Sequence, residues 1–208
     1  MYTPPAFAET DLALLDALVA ADPFVTLVTV DVDGLPCVSH LPVLYRRDGD
    51  AVLFEGHWAR PNPQSHGPAQ ALLLVHGPHA YVSPGWYRDK MQAARVPTWN
   101  YAVAHLHGTL QRFDDEDALG DLVARMSQRF EPGAGGDWRY DHADAALRRQ
   151  LRGIVGFRFV PTRIALKAKL NQNHPEANRH AVADALAAQS TDDARAVAAL
   201  MRAREPRG

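Results

Sequence analysis

The segment 56–64 brings together the polar groups best suited to bind an anion. It contains an imidazole at His57, a guanidinium at Arg60 and an amide at Asn62, and prolines at 61 and 63 stiffen the segment. A guanidinium fork with neighbouring N–H donors matches the oxygens of a phosphate or another oxyanion. The pattern therefore predicts an anion site, and a solvated turn is the alternative interpretation.

A second group of residues, Ser39, His40 and Leu41, lies in a stretch predicted to be extended, just before Pro42. Side chains alternate between the two faces of a strand, so Ser39 and Leu41 share one face and His40 occupies the other. A proline within a strand is typical of a sheet edge or a bulge. An ordinary edge strand without a ligand is the alternative here.

Two further groups lie later in the chain. Residues 81–101 contain tyrosines at 81, 87 and 101 and tryptophans at 86 and 99. Such rings with polar tips suit stacking on a planar ligand or lining a dimer interface. The segment 167–173, at the end of a predicted strand, supplies two lysine charges and three side-chain amides.

The ten histidines do not form a recognisable metal motif. His105 and His107 share a strand face by their spacing, but no acidic partner follows at ligand spacing, so we predict no metal site. Haem ligation remains an alternative. The glycine fingerprints of dinucleotide and P-loop nucleotide sites are absent from the sequence, as is the Gly-x-Ser-x-Gly elbow.

The hydrophobic periodicity predicts a mainly β protein with helices (α+β), as in an antiparallel barrel decorated by helices. Helices are expected at 10–21, 115–130, near 143–151 and twice after residue 173. Strands are expected at 24–32, 35–45, 51–55, 71–76, 80–82, 100–113, 154–160 and 163–170, with turns at Asp33-Gly34, Gly77-Pro78 and Pro161-Thr162. We predict one domain over 1–173 and a helical appendage over 174–208 that packs on it.

Bulk composition narrows the class of protein. The chain has 208 residues, a hydrophobic fraction of 47% and a formal net charge of −2, which is typical of a globular protein without a strong field for nucleic acid or anionic membranes. Cys37 is the single cysteine, so no intrachain disulfide is possible and a reducing, cytoplasmic location is expected. Neither a signal peptide nor a membrane span is predicted.

Taken together and in this order, the motifs resemble the PaiB-type family of FMN-binding negative transcriptional regulators. The resemblance covers nearly the whole chain and departs from the family pattern at Asn171, where the family usually has serine, and at Pro61, where alanine is more common. The matching segments are Met1–Phe7, His40–Pro42, Gly56–Pro63, Tyr81–Tyr87, Val96–Tyr101 and Lys169–Asn173.

The resemblance implies a split β-barrel of the pyridoxamine-phosphate-oxidase type, with FMN held at the interface of a homodimer. It implies that the FMN phosphate is contacted by His57, Arg60 and Asn62. It implies that the flavin ring is contacted by Ser39, His40 and Leu41, and by Trp99, Asn100 and Tyr101 from the same chain or its partner. Charge or hydrogen bonds near the cofactor are expected from Lys169 and Gln172.

Three functions follow as hypotheses. The family resemblance implies a negative transcriptional regulator, for which DNA is a candidate partner through the arginines of the last helix, Arg195, Arg202, Arg204 and Arg207. The first alternative is an FMN-dependent oxidoreductase or flavin reductase, with no catalytic residue assigned and His40 or Tyr101 the first proton donors to test. The second alternative is a haem-binding split-barrel protein.

Overall fold

The computed structural model describes residues 1–204. Its α-helices and strands, in chain order, are β1 (Ala8–Glu9), α1 (Ala13–Ala21), β2 (Phe24–Val30), β3 (Pro36–Pro42), β4 (Leu44–Asp48), β5 (Ala51–Ala59), β6 (Gln70–Val82), β7 (Thr98–Phe113), α2 (Glu116–Phe130), α3 (Ala145–Gln150), β8 (Ile154–Lys169), α4 (Glu176–Ala187) and α5 (Asp192–Ala203). Short 3₁₀ helices occupy Pro5–Phe7, Pro63–Ser65, Pro84–Trp86, Glu131–Ala134 and Leu151–Gly153.

The strands hydrogen-bond in the order β3-β2-β6-β7-β8-β5-β4, and β1 pairs with β8. The pairings of β2 with β3, β2 with β6, β4 with β5, and β5 with β8 are all antiparallel. In the β2–β3 pair Leu27 lies opposite Ser39 and Thr26 lies opposite His40. The β2–β3 register therefore defines which β2 residue lies opposite each of these two predicted site residues.

Two predicted turns are wrong, because β6 and β8 each continue through them. The register of β2 on β6 ends at Leu74, and that of β5 on β8 ends at Phe159. Pro78 and Pro161 come after these points, where β2 and β5 no longer require an N–H from them. A proline is tolerated in a strand on a side where no ladder bond needs its missing donor, and β7 borders β6 and β8 on their other side.

The predicted strand 35–45 is also wrong, because it is two strands. β3 ends at Pro42, and Val43 turns inward, where it is buried and donates its N–H to the carbonyl of Pro23 at 3.1 Å. The turn before β3 is longer than the predicted two residues. The carboxylate of Asp31 accepts the N–H groups of Asp33 and Leu35 and so organises this longer turn.

The chain forms two compact units. The central unit contains residues 16–75 and 105–164, and the terminal unit contains 1–15, 76–104 and, within the described residues, 165–204. The core of the central unit includes the fully buried rings of Trp58 and Phe157, whose centroids are 4.5 Å apart. The core of the terminal unit includes the buried faces of α4 and α5, among them Leu186 and Val197. The division into a 1–173 domain and an appendage stays a prediction.

Helix α2 shows the local rules most directly. The side chain of Asp115 accepts the N–H of Ala118 at 2.9 Å, as an N-cap should. Leu119, Leu122 and Met126 then recur at helical spacing and are buried.

Among residues 1–204, no helix is both long and apolar enough to cross a lipid bilayer.

Candidate functional site

The loop Arg60–His66, called here the clamp loop, follows β5 in the central unit and contains most of the predicted anion-binding residues. Its backbone N–H groups are already used. Those of Arg60, Asn62, Ser65 and His66 donate to main-chain carbonyls, and that of Gln64 donates to the side chain of Asn62. An anion at this loop would therefore be met by side-chain donors and not by a backbone cradle.

Arg60 holds the clamp loop to the start of β8. Its Nε donates to the carbonyl of Arg152 at 2.7 Å and its Nη2 to that of Ile154 at 3.0 Å. Its Nη1 lies 3.6 Å from a carboxylate oxygen of Asp114, and 39% of the side chain is exposed. Nε and Nη2 of the guanidinium thus orient the arginine, and Nη1 faces Asp114 on a partly exposed side chain.

Ser39 and Asn62 are brought together by the structure. The Nδ2 of Asn62 lies 2.9 Å from the Oγ of Ser39, and the Oδ1 of Asn62 accepts the N–H of Gln64 at 2.9 Å. Ser39 is buried on the face of β3 that also carries Leu41, which is half-buried. His40 lies on the opposite, exposed face, where its Nδ1 is 3.0 Å from the hydroxyl of Thr26.

Gln64 is a buried residue of the site that the sequence interpretation did not assign. Its Nε2 lies 2.8 Å from the carbonyl of Cys37 and 3.2 Å from both the carbonyl of Leu27 and the hydroxyl of Thr29. These contacts bind the clamp loop to β2 and β3. The only signal in the sequence was the neighbouring Asn-Pro motif, which does not reveal that the glutamine side chain points inward.

Arg112 of β7 fixes the other side of the clamp loop. Its Nη2 donates to the carbonyls of Gln64 at 3.0 Å and Pro68 at 2.9 Å, and its guanidinium lies over the ring of Trp58 at 5.7 Å. The loop is therefore ordered by bonds with Ser39 of β3 and Arg112 of β7 and by its own Arg60 and Gln64 side chains. Such prior ordering lowers the entropic cost of binding.

His57, on β5, has a buried Nδ1 that has no hydrogen-bond partner among the described residues. Burial lowers the pKa of His57 below its ordinary value of 6.5. The imidazole is therefore neutral at pH 7 and carries one N–H donor and one acceptor nitrogen. A buried polar atom without a partner is costly, so a ligand group or a water that pairs with it is favoured.

Trp99 forms part of an exposed aromatic surface in the terminal unit. Its ring is 6.1 Å from that of Tyr81, in an edge-to-face arrangement, and 5.9 Å from that of His79. Trp99 is 51% exposed and Tyr81 is 47% exposed. An accessible indole of this kind suits stacking on a flat heterocycle.

Two lysines support this aromatic surface from β8. Lys169 donates to the carbonyl of Trp99 at 2.9 Å and to the hydroxyl of Thr98, and burial lowers its pKa. The ammonium of Lys167 lies 5.1 Å from the centre of the Tyr101 ring. Tyr101 therefore receives a cation–π contact, and Lys169 positions the backbone that carries Trp99.

Asn100 and Gln172 are engaged by the terminal unit itself. Asn100 is fully buried, and its Nδ2 contacts the sulfur of Met201 at 3.4 Å. Gln172 closes the end of β8, because its Oε1 accepts the N–H of Leu170 and its Nε2 donates to the carbonyl of Ala168. Both side chains have structural work in the fold, and their roles toward a cofactor stay predictions.

A group called here the Tyr87 stack holds the segment before Trp99. The buried ring of Tyr87 stacks on His174 at 4.8 Å and lies under the guanidinium of Arg95 at 5.5 Å. Arg95 pairs with Asp89 and approaches His174. Asn171 donates to the hydroxyl of Tyr87 at 3.2 Å.

The departure at Asn171 has a conformational explanation. Asn171 has a φ of 63°, in the left-handed region that asparagine tolerates better than most residues other than glycine. Asparagine at this position also reaches Tyr87, since its side-chain amide makes the bond to the phenol oxygen. The substitution is therefore compatible with the turn that ends β8.

Two clefts open elsewhere in the units. One of about 530 Å³ in the central unit is lined by residues that include Asp16, Tyr45 and Arg47, and one of about 340 Å³ in the terminal unit includes Trp86 and Lys90. None of the residues assigned to FMN lines either cleft, although Trp86 and Tyr87 of the predicted aromatic group line the second. Within residues 1–204, no three His, Cys, Asp or Glu side chains gather as a metal site.

The side chains available in the central unit fit a phosphate-bearing cofactor. The Ser39 hydroxyl proton and the buried Nδ1 of His57 have no partner among the described residues, and Arg60 presents Nη1. Hydrogen-bonding groups and a positive charge are the side-chain chemistry that suits a phosphate monoester. In the terminal unit, the exposed face of Trp99 is suited to a flat ring.

Known proteins resemble this chain in sequence. It is 31% identical over 205 residues to protease synthase and sporulation protein PAI 2 of Bacillus subtilis (strain 168), covering 97% of this chain and 96% of that protein. An uncharacterised protein of Emericella nidulans is 25% identical over 98% of this chain and 97% of its own length. Both similarities therefore extend over nearly the whole of each protein.

Solved structures show the same fold. The flavocytochrome Anf3 of Azotobacter vinelandii superimposes with a TM-score of 0.58 at 16% identity, over 84% of this chain and 75% of that one. The FAD- and haem-binding protein of Mycobacterium smegmatis gives a TM-score of 0.56 at 20% identity, over 78% and 73%. The prediction of a mainly antiparallel split barrel with helices is confirmed.

The sequence profile of one protein family matches residues 1–163, and its description is "Putative FMN-binding domain". This match covers more than half of the chain and confirms the prediction of FMN as the cofactor. The relationship to the Bacillus protein confirms the resemblance to the PaiB-type proteins. The chain therefore belongs to this FMN-binding family of split-barrel proteins.

Proposed function

We propose that this protein acts as a cytoplasmic, homodimeric flavoprotein and that its central unit holds the FMN phosphate. The observation that carries the proposal is the chemistry of the side-chain groups of this unit, among which Arg60 Nη1 also faces a carboxylate oxygen of Asp114 at 3.6 Å. Arg60 presents Nη1 and His57 has a buried Nδ1 without a partner among the described residues. Arginine supplies the charge, and the neutral imidazole supplies a hydrogen bond.

Trp99 and Tyr101, from the same chain or its partner, are proposed to contact the isoalloxazine ring of FMN. Trp99 supplies an exposed ring, and Tyr101, polarised by the ammonium of Lys167, supplies a second. Lys169 holds the backbone between them by its bond to the carbonyl of Trp99. When bound, FMN supplies the electron-transfer chemistry, and these residues supply its position and electrostatic surroundings.

Exposed apolar side chains of the central unit support the homodimer. Phe24 and Val38, on β2 and β3, are 52% and 53% exposed, and Leu35 in the turn between these strands is also exposed. A group of exposed apolar residues is typical of a surface that another protein covers. Light scattering on the purified protein should give twice the mass of one chain, and a monomer at micromolar concentration would contradict the dimer.

Direct binding to DNA has less support than flavin binding. Three arginines near the C-terminus lie on or beside α5 and pair with carboxylates: Arg195 with Asp192, Arg202 with Asp184, and Arg204 with Glu9. Arg207 lies outside the described residues. The relative of this protein in Bacillus subtilis is named for protease synthesis and sporulation, and for this reason transcriptional regulation is kept as a second candidate function.

Two measurements distinguish an oxidoreductase or flavin reductase from a transcriptional regulator. Anaerobic addition of NADH or NADPH should bleach bound flavin if the protein is an oxidoreductase or a flavin reductase. Mobility shifts with promoter DNA, weakening as salt rises, would instead favour the regulator. The absorption spectrum of the purified protein also separates flavin from haem, because their bands differ.

The phosphate assignment is tested by comparing FMN with riboflavin, which lacks the phosphate. Arg60→Ala should weaken FMN binding about 10- to 100-fold, as expected for loss of a hydrogen bond to a charged group. Riboflavin binding should change little. Arg46→Ala, at an exposed arginine of β4, is the matched control. Unchanged FMN affinity in a folded Arg60→Ala protein would overturn the assignment.

A further inference from the structure

Hydrogen-bond direction around Asn62 is fixed by the structure. The backbone N–H of Gln64 can only donate, so the Asn62 atom that faces it at 2.9 Å must be the amide oxygen, Oδ1. The other end of the amide, facing Ser39 Oγ at 2.9 Å, is therefore the NH₂ group. The orientation of Asn62 follows from a donor that cannot be reversed.

This direction determines what Ser39 can do. A hydroxyl has one proton to donate and two lone pairs that accept. Since Asn62 donates to Ser39 Oγ, the Ser39 proton is not used in that bond, and no acceptor for it exists among the described residues. Ser39 is buried to 8% exposure, so its hydroxyl offers one donor from a largely enclosed position.

Gln64 holds this arrangement in place from both sides. Its backbone N–H orients the Asn62 amide, and its side-chain Nε2 contacts the carbonyls of Leu27 and Cys37. Leu27 lies directly opposite Ser39 in the β2–β3 pair. One residue therefore fixes the clamp loop relative to the strand that carries Ser39.

We propose that Ser39 donates its hydroxyl proton to an FMN phosphate oxygen, and that Asn62 and Gln64 are positioning residues that act through Ser39. This inference rests on the proposed function. It changes two expectations drawn from the family resemblance, which assigned Asn62 to the phosphate and Ser39 to the flavin ring. Phosphate oxygens only accept hydrogen bonds, and the arrangement makes Ser39 a donor.

A double-mutant cycle tests whether Asn62 acts through Ser39. The measured quantity is the ratio of riboflavin to FMN dissociation constants, because general damage to the fold would weaken both ligands. Ser39→Ala should lower this ratio about 10- to 100-fold. Asn62→Ser, which keeps a short capping oxygen for Gln64, should lower it less, and the double variant should be no worse than Ser39→Ala alone.

Two further variants complete the test. Ser39→Thr keeps the hydroxyl and suits a strand, so it should restore most of the preference for FMN. Gln70→Ala removes an exposed amide-to-hydroxyl contact of the same kind, with Thr109 at 3.3 Å, and should leave the ratio unchanged. Thermal melts of every variant establish that the proteins are folded.

The outcomes are distinguishable. If Ser39→Ala and Asn62→Ser reduce the ratio additively, Asn62 contacts the ligand itself and the proposed relay is wrong. If Arg60→Ala reduces the ratio but Ser39→Ala does not, the phosphate site survives without Ser39. If none of these variants changes the ratio, the phosphate site of the proposed function is itself wrong.

Discussion

The clamp loop and the Tyr87 stack order two chain segments by different forces. The clamp loop is held by bonds from Arg60, Gln64 and Arg112 to main-chain carbonyls. The Tyr87 stack is held by a buried ring between an imidazole and a guanidinium. The clamp loop therefore depends on the direction of its hydrogen bonds, and the Tyr87 stack depends on the contact area of the Tyr87 ring and on the charge of Arg95.

This difference predicts different sensitivities. Guanidinium and amide groups do not titrate near neutral pH, so the bonds of the clamp loop should persist across that range. His174 does titrate there. Conservative substitutions should therefore separate the two regions by the size and pH dependence of their effects.

The largest effect is expected for the ring of the Tyr87 stack. Tyr87→Ala should lower the free energy of unfolding by roughly 3–5 kcal/mol, because a fully packed aromatic side chain is lost. Tyr87→Phe keeps the ring and loses the contact with Asn171, so it should lose about 1 kcal/mol. Urea unfolding measures both, and equal losses would show that the hydrogen bond, not the ring, dominates.

A smaller loss of unfolding free energy is expected when the clamp loop loses the side-chain amide of Gln64. Gln64→Leu leaves the carbonyls of Leu27 and Cys37 without the amide, which should lower the free energy of unfolding by roughly 1–3 kcal/mol. The loss should be the same at pH 6 and pH 8. Gln70→Leu, at an exposed position, should stay within about 0.5 kcal/mol of the parent protein.

The turn that supports the Tyr87 stack should prefer glycine to alanine. Asn171→Ala should destabilise the protein by roughly 1–2 kcal/mol more than Asn171→Gly, because alanine disfavours the left-handed conformation at a φ of 63°. Both variants lose the same bond to Tyr87, so their difference isolates the backbone. Equal melting temperatures would contradict the conformational explanation.

The smallest effect is a pH dependence from His174. Burial lowers its pKa below the ordinary 6.5, and the charge of Arg95 lowers it further, whereas Asp89 opposes this. Because the folded state resists protonation, stability is present above pH 6.5 and falls as the pH drops below it. His174→Phe keeps a ring against Tyr87 and should reduce this acid-side loss, by at most about 1.4 kcal/mol per pH unit.

His57 acts in the same direction, because burial lowers its pKa as well. The comparison therefore needs His57→Gln as a second variant. If His174→Phe leaves the slope of unfolding free energy against pH unchanged while His57→Gln reduces it, the titrating region is the central unit. That result would reverse the expected contrast between the two regions.

Local signals predicted the elements that depend on short-range rules. Helix α2 begins after its Asp115 cap, and β7 covers the expected long strand. The turns at Pro78 and Pro161 were wrong because a proline is acceptable where a neighbouring strand has ended. Whether a neighbour is present depends on pairing between distant segments, which local sequence does not contain.

The types of residue in the candidate site could be predicted from the sequence, but the directions in which their side chains point could not. Asn100 and Gln64 look alike in sequence as amides in polar motifs, yet both are buried and engaged by the fold. Ser39 and Asn62 were assigned to different parts of FMN, although they lie 2.9 Å apart. Such proximity arises from tertiary structure and could not be derived from spacing along the chain.

The pairing of β1 with β8 has a consequence for biosynthesis. Ala8 lies opposite Lys167, and Glu9 lies opposite Leu166, so the first strand of the described residues pairs with the last. At about 5–20 residues translated per second, the amino terminus waits roughly 10–30 s for its partner to emerge from the ribosome. A nascent chain stalled before residue 166 therefore leaves β1 without the residues of β8 that it pairs with.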